Sequence, residues 1–212
     1  MSDYEVLREQ MVEYQLARRG IREPVLSAMA EVPREEFVDE HLRGAAYDDG
    51  ALPIEAGQTI SQPFIVALMV QELGVGPDAT VLEIGAGSGY AAAVLSRLVA
   101  TVHAVERHAV LVEAARERLA RLGYDNAHVH HGDGSLGWPD AAPYDGILVS
   151  AATRDLPPAL IEQLRPGAAL VVPVGGAIMG QELKRLVRRE DRSLSETDLC
   201  AVQFVPLREG IE

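Results

Sequence analysis

The chain has 212 residues, 48% of them hydrophobic and 24% charged, with a formal net charge of −13 at pH 7. That composition describes one soluble globular domain with a sizeable core, and its negative excess excludes general affinity for nucleic acid or anionic membranes. A lone cysteine, Cys200, excludes an internal disulfide, and no apolar run approaches the roughly 18 residues of a membrane-spanning helix, so a cytoplasmic protein is expected.

From Asp3 to Arg19, Val6, Leu7, Met11, Val12 and Leu16 recur near helical spacing, and Gly20 closes the segment. A second short helix starts near Pro24 and carries Val25, Leu26 and Met29 until Pro33 interrupts it. Together these form a helical cap. Ala46 to Pro63 holds Gly50, Pro53, Gly57 and Pro63, which predicts a long ordered loop, and such loops often carry function. Ser61 then reads as the N-cap of a helix with Pro63 in its first turn, running to Leu73 with Leu68, Met69 and Leu73 inward.

From Thr80 the chain alternates strand and helix. Strands are expected at Thr80–Ile84, Val102–Glu106, Ala127–His131, Tyr144–Ser150 and Ala168–Val174. Helices fall at Tyr90–Leu98, His108–Leu122 and Pro157–Leu164, which predicts a doubly wound parallel sheet with helices on both faces. Glu182–Arg189 and Leu199–Val205 suit a final hairpin at one sheet edge.

The first of these strands runs into TVLEIGAGSGY. Its glycines, Gly85, Gly87 and Gly89, are spaced G-x-G-x-G, unlike the G-x-G-x-x-G of dinucleotide-binding turns. Glu83 precedes them, where a carboxylate would repel a pyrophosphate and suit a cation. S-adenosyl-L-methionine has no phosphate and carries a sulfonium and an ammonium, so it is the cofactor this electrostatics favours. Glu106, 21 residues after Gly85, stands where a carboxylate holds a ribose diol. Asp133, inside Gly132-Asp133-Gly134 at the next strand end, is placed to accept from an adenine amino group. His130 and His131 lack a second cluster at ligand spacing, so no metal is expected, and Trp138 is expected under the loop at Asp133.

With these residues in view, the sequence resembles the protein-L-isoaspartate O-methyltransferase family. The resemblance runs from Arg19–Ile21 and Val32–Val38 through the G-Q-T-I-S-Q-P of Gly57–Pro63 to GDGSLGW at Gly132–Trp138 and FVPL at Phe204–Leu207. It implies a single Rossmann-like methyltransferase domain of about seven strands, with residues 1–45 as cap, 46–63 as active-site loop and 80–212 as core. It also implies methylation of isoaspartyl-containing proteins and peptides by a monomer, with Ser61 as the active-site serine. The cofactor set it implies is Gln58, Thr59, Ile60, Ser61, Glu83, Gly85, Gly87, Gly89, Glu106, Arg107, Asp133 and Gly134, with Gln203 and Arg208 in a segment that closes over the cofactor. Acceptor contacts are expected at Thr59, Ser61, Ala151, Val174 and Gly175, the last three through main-chain groups at strand ends. The family's last two strands follow an order unusual among methyltransferases.

Two departures stand out. Glu55 occupies a position where the family commonly has Gly, which points to a left-handed backbone there or to close substrate approach, and Gln203 stands where many bacterial relatives have Arg. Glu55 keeps open a second reading, a methyltransferase of this fold acting on a small-molecule acid. A cofactor-binding module without catalysis is a third.

Overall fold

The structure, a computed structural model, describes residues 3–176 and 180–212. The first expected helix is one continuous right-handed run that changes pitch. It is α-helical over α1 (Asp3–Gln10), widens to a π-helix over Met11–Leu16, tightens to a 3₁₀ turn over Ala17–Arg19, and ends at Gly20 with φ 90°. Met11 and Leu16 are buried while Val6 and Leu7 are exposed, so only the second half of the apolar stripe faces the core. The second helix, α2 (Val25–Glu31), follows, with two 3₁₀ turns behind it.

The segment expected as an irregular loop contains a small antiparallel hairpin. β1 (Leu52–Pro53) pairs with β2 (Thr59–Ile60), and Ile54 N–H donates to Gln58 O at 2.9 Å across the turn. Two-residue strands, one carrying a proline, fall below what period-two alternation can reveal. The left-handed residues at its tip are Ala56 (φ 54°) and Gly57 (φ 64°), while Glu55 is not among them, so Glu55 needs no glycine-like backbone. The next helix, α3 (Pro63–Leu73), is capped by Gln62 with no side-chain cap, which corrects the expected role of Ser61 as N-cap. Of its expected inward residues Met69 and Leu73 are buried, and Leu68 is only half-buried.

The main sheet has the order β5-β4-β3-β6-β7-β8-β9. Its strands are β3 (Thr80–Ile84), β4 (Thr101–Glu106), β5 (Ala127–His131), β6 (Tyr144–Val149), β7 (Leu164–Gly176), β8 (Gly180–Arg188) and β9 (Leu194–Val202). Strands β3 to β7 run parallel, and β8 and β9 add antiparallel in chain order. Helices α4 (Tyr90–Ser96), α5 (Ala109–Leu122) and α6 (Pro158–Glu162) make the crossovers. Most strands shift by two residues or fewer, and two differ by more. β7 starts four residues early because an irregularity between its Leu164 and Ala169 pairings absorbs Pro166 and Gly167. β9 starts at Leu194 and stops at Val202, earlier than expected, because an edge strand accommodates charge: Glu196 and Asp198 both meet Lys184 on β8.

Two apolar clusters form the core. The larger joins the N-terminal helices to α3, α4 and one face of the sheet, with Phe37 edge-on to Tyr90 at 5.4 Å between ring centroids. The smaller fills the other face around Leu82, Ile147 and Leu170. Among the described residues, no helix is long and apolar enough to cross a membrane.

Candidate active site

Strand order reverses between β3 and β6, and a doubly wound sheet binds ligands at the carboxyl end of that switch point. Gly85 and Gly87, with φ of 85° and 53°, form the turn after β3. The turn is pinned on both sides. Gly85 N–H donates to Val105 O at 2.8 Å, and Ser150 N–H, just past β6, donates to Ile84 O at 2.8 Å. Gly89 opens α4 in the left-handed region (φ 85°), which favours glycine there, and it borders neither lobe of the hollow beside this turn.

Around this turn lies a two-lobed hollow. An inner lobe is bordered by Thr59, Ile60, Ser61, Glu83, Gly85, Gly87, Tyr90 and Ser150. An outer lobe shares Thr59, Gly85, Gly87 and Ser150, and adds Gln58, Glu106, Arg107, Gly134, Ala151 and Val205–Arg208. A third, open groove runs from Ala51, Thr59, Ser61, Gln62 and Ile65 across to Ala201–Val205. Thr59 borders all three spaces, and Ser61 borders the inner lobe and the groove.

The two carboxylates predicted from sequence are both buried. Glu106 is 5% exposed, and its oxygens accept from Gly87 N–H and His108 N–H at 3.0 Å each. A carboxylate has about four acceptor positions, so two remain for hydroxyls in the outer lobe. Glu83 is 1% exposed, and its Oε2 has no hydrogen-bond partner among the described residues. Burial, with Glu106 adding like charge, pushes its pKa well above the ordinary carboxylate value. A buried, orphaned acceptor on the wall of a hollow fits a cationic group and opposes a phosphate. The residues therefore fit S-adenosylmethionine: Glu83 toward its cationic end, Glu106 toward its ribose.

Asp133, expected at the adenine, uses most of its acceptor positions within the chain. Its Oδ1 accepts from Ser135 N–H and Oγ at 2.9 and 2.7 Å, and its Oδ2 accepts from Gly210 N–H at 2.6 Å. Burial pushes this carboxyl up, yet these bonds and the Arg107 charge outweigh it and hold the pKa low. Asp133 thus fastens the tail beside the outer lobe, and Gly134 is the residue of that turn which borders the lobe. Trp138, expected beneath this turn, stacks on His130 with centroids 4.0 Å apart.

The main-chain acceptor contacts expected at Ala151, Val174 and Gly175 are not gathered at Ser61. Ala151 borders the outer lobe. Val174 bridges Thr153, and Gly175 N–H donates to Thr153 O at 2.9 Å, so this backbone is already paired within the chain. Glu55 borders none of the three spaces; its charge is felt by Arg118, which donates to Ser88 O at 2.7 Å within the glycine turn. Sequence reasoning missed Asp49, which accepts from Arg19 on the cap and from Gln62 beside Ser61, at 3.2 and 2.7 Å to its Oδ1. Asp49 stands in no periodic or motif context that would single it out. Ser150, expected only as a strand end, borders both lobes.

A switch-point crevice lined by one buried, unpartnered carboxylate and a second with acceptor positions to spare fits the class of S-adenosylmethionine-dependent methyltransferases. The family model for protein-L-isoaspartate(D-aspartate) O-methyltransferase matches residues 7–212. Protein-L-isoaspartate O-methyltransferase 1 of Geotalea uraniireducens is 55% identical over 94% of this chain and 92% of its own. The Methylorubrum extorquens protein-L-isoaspartate O-methyltransferase is 56% identical over 96% and 89%. A solved protein-L-isoaspartate O-methyltransferase superposes with a TM-score of 0.88 at 30% identity, covering 96% of this chain and 67% of that one. A Plasmodium falciparum structure of the same description, in complex with S-adenosyl-L-homocysteine, superposes with a TM-score of 0.79 at 25% identity over 98% and 99%. The chain belongs to the protein-L-isoaspartate(D-aspartate) O-methyltransferase family.

Proposed function

We propose that this protein, acting in the cytoplasm, methylates the free carboxylate of L-isoaspartyl residues in damaged proteins and peptides, which initiates their repair. The observation that carries this reading is the shared rim: Thr59 and Ser61 border both the inner lobe and the open groove, so donor and acceptor spaces meet at two neutral hydroxyls.

S-adenosylmethionine, when bound, supplies a methyl carbon that gains a bond to a carboxylate oxygen as its bond to sulfur breaks, leaving a methyl ester and a neutral thioether. An isoaspartyl carboxylate titrates near pH ~4 in water, so it arrives ionised at neutral pH and needs no general base. What the chain supplies is alignment and exclusion of water, and well-aligned reactants save roughly 7–11 kcal/mol of barrier. Among the described residues, no lysine, arginine or histidine borders the groove, so no strong positive charge draws electron density from the nucleophile. The Ser61 hydroxyl, engaged in no cap or other bond among the described residues, orients one carboxylate oxygen.

The family match favours a polypeptide acceptor over a small acid. The open groove beside Thr59 and Ser61, walled by Gln203–Val205, suits a chain segment lying across it. The test incubates the protein with labelled S-adenosylmethionine and matched isoaspartyl and aspartyl peptides, and counts base-labile methyl ester. Label on the isoaspartyl peptide alone is the expected result. Cofactor binding without transfer to any peptide would sink the reading.

A further inference from the structure

The far wall of the groove, Gln203–Val205, lies beyond the end of β9. The backbone ladder between β8 and β9 ends at the pairing of Gln181 with Val202. Past that point a side chain takes over. Gln181 Nε2 donates to Phe204 O at 3.1 Å, and Gln181 Oε1 accepts from Phe204 N–H at 2.6 Å. An amide bonded to both groups of one residue reproduces an antiparallel backbone pair where the strand has run out.

The next residues are held by a different element. Ala152 N–H donates to Val205 O at 2.8 Å, and Leu207 N–H donates to Ala152 O at 2.7 Å. Val205 to Arg208 border the outer lobe, while Ala201 to Val205 border the groove. The segment therefore has two separate anchors: Ala152 fixes its cofactor side, and Gln181 fixes its acceptor side. Gln181 borders none of the three spaces, so it can act only through Phe204.

We propose that Gln181 is a positioning residue for the acceptor, setting the groove wall that faces Thr59 and Ser61. The proposal rests on the peptide-methylating reading. Without the clamp, Phe204 loses partners for both backbone groups and the wall samples wider positions, so the acceptor must order it on binding. That cost falls on acceptor affinity, while a saturating acceptor restores the aligned geometry.

The experiment compares wild type, Gln181→Met and Gln181→Glu in the isoaspartyl-peptide assay, with cofactor Kd by calorimetry and Tm by thermal unfolding. Met keeps the length and removes both bonds; Glu retains acceptance from Phe204 N–H but sets a carboxylate against Phe204 O. Expected is a peptide KM raised roughly tenfold in Gln181→Met, with kcat and cofactor Kd within about twofold of wild type. Gln181→Glu shifts the same parameter in the same direction, and it decides the question if the Met variant does not fold. An unchanged peptide KM in a folded variant overturns the proposal, as does a joint shift of peptide KM, cofactor Kd and Tm, which would mark general loosening. A wild type that methylates no isoaspartyl peptide overturns the functional reading instead.

Discussion

Glu83, the penultimate residue of β3, and Glu106, the last residue of the neighbouring β4, flank one glycine turn, yet their carboxylates are in opposite conditions. Both oxygens of Glu106 are met by backbone N–H groups, whereas Glu83 Oε2 has no partner among the described residues. Glu106 is preorganised by the fold. An ionised Glu83 would be a costly buried charge, and either protonation or an incoming cation relieves it. On the proposed reading, the turn gives up stability at this acid in exchange for cofactor affinity.

Glu83→Gln keeps the shape and removes the charge. Loss of a charge-assisted contact worth about 1.5–3 kcal/mol should weaken cofactor binding roughly 10- to 150-fold. Stability should hold or rise, because the substitution removes a buried, unpaired carboxylate. Calorimetric titration with S-adenosylhomocysteine and a melting curve check the two halves, and a large fall in Tm with unchanged affinity would contradict both.

The same acid predicts a proton linkage. Its raised pKa in the free protein means that binding a cation favours ionisation, so a proton is released on binding. Cofactor affinity should therefore rise with pH until the pH passes the free-state pKa of Glu83. Titrations in buffers of different ionisation enthalpy measure the released proton directly, and Glu83→Gln should abolish it.

How far this site was legible in the sequence depended on which signals are local. The strand at Thr80–Ile84 is bounded as its apolar run predicts, because a buried parallel strand writes its own pattern. The edge strand Ala127–His131, with Val129 alone buried, also keeps its expected bounds. Glu83, Glu106 and the glycines sit on the turn that their spacing suggested. The acceptor side is different. The hairpin of β1 and β2, the Asp49–Gln62 tie and the Gln181–Phe204 clamp depend on contacts between distant segments, and no local period encodes them. Asp133 shows the converse: its position was legible, but its oxygens go to Ser135 and Gly210, a partnership the motif does not reveal.

Gly134 tests the close packing beneath the outer lobe. A Cβ there would lie 2.5 Å from Ile84 Cγ2, and Ile84 itself borders the lobe. Gly134→Ala should cost about 1–3 kcal/mol of stability through overpacking and also weaken cofactor binding as Ile84 shifts. Denaturant unfolding and cofactor titration would both have to be unchanged for this packing account to fail.

Histidines outside the site predict an acid limit. His103 Nδ1 lies 3.0 Å from His130 Nε2, with His130 stacked on Trp138. Burial lowers both pKa values, His130 to about 4, with His103, His128 and Arg116 adding positive charge and Asp140 opposing them. A histidine whose folded pKa lies below its unfolded value near 6.5 favours the neutral form in the fold. Its contribution is present above about pH 6.5 and is lost as pH falls toward 4. Tm should drop across that window, and His130→Phe should flatten the drop while keeping a ring to stack on Trp138.

Ser61 is the residue on which donor and acceptor spaces converge, and its freedom from capping makes it separable. Because Gln62 is the N-cap and the Ser61 side chain does not close the helix, Ser61→Ala removes no cap, and Tm should stay near wild type. The inner lobe keeps Glu83 and the outer lobe Glu106, so cofactor Kd should also hold. What is lost is one hydroxyl donor to the acceptor carboxylate, which should lower kcat by at least roughly tenfold, about 1.4 kcal/mol of barrier. Ser61→Thr restores a hydroxyl and should recover part of the rate, limited by its added methyl at the rim. Turnover unchanged in Ser61→Ala, with the peptide still methylated, would remove Ser61 from the reaction and leave Thr59 as the rim hydroxyl to test next.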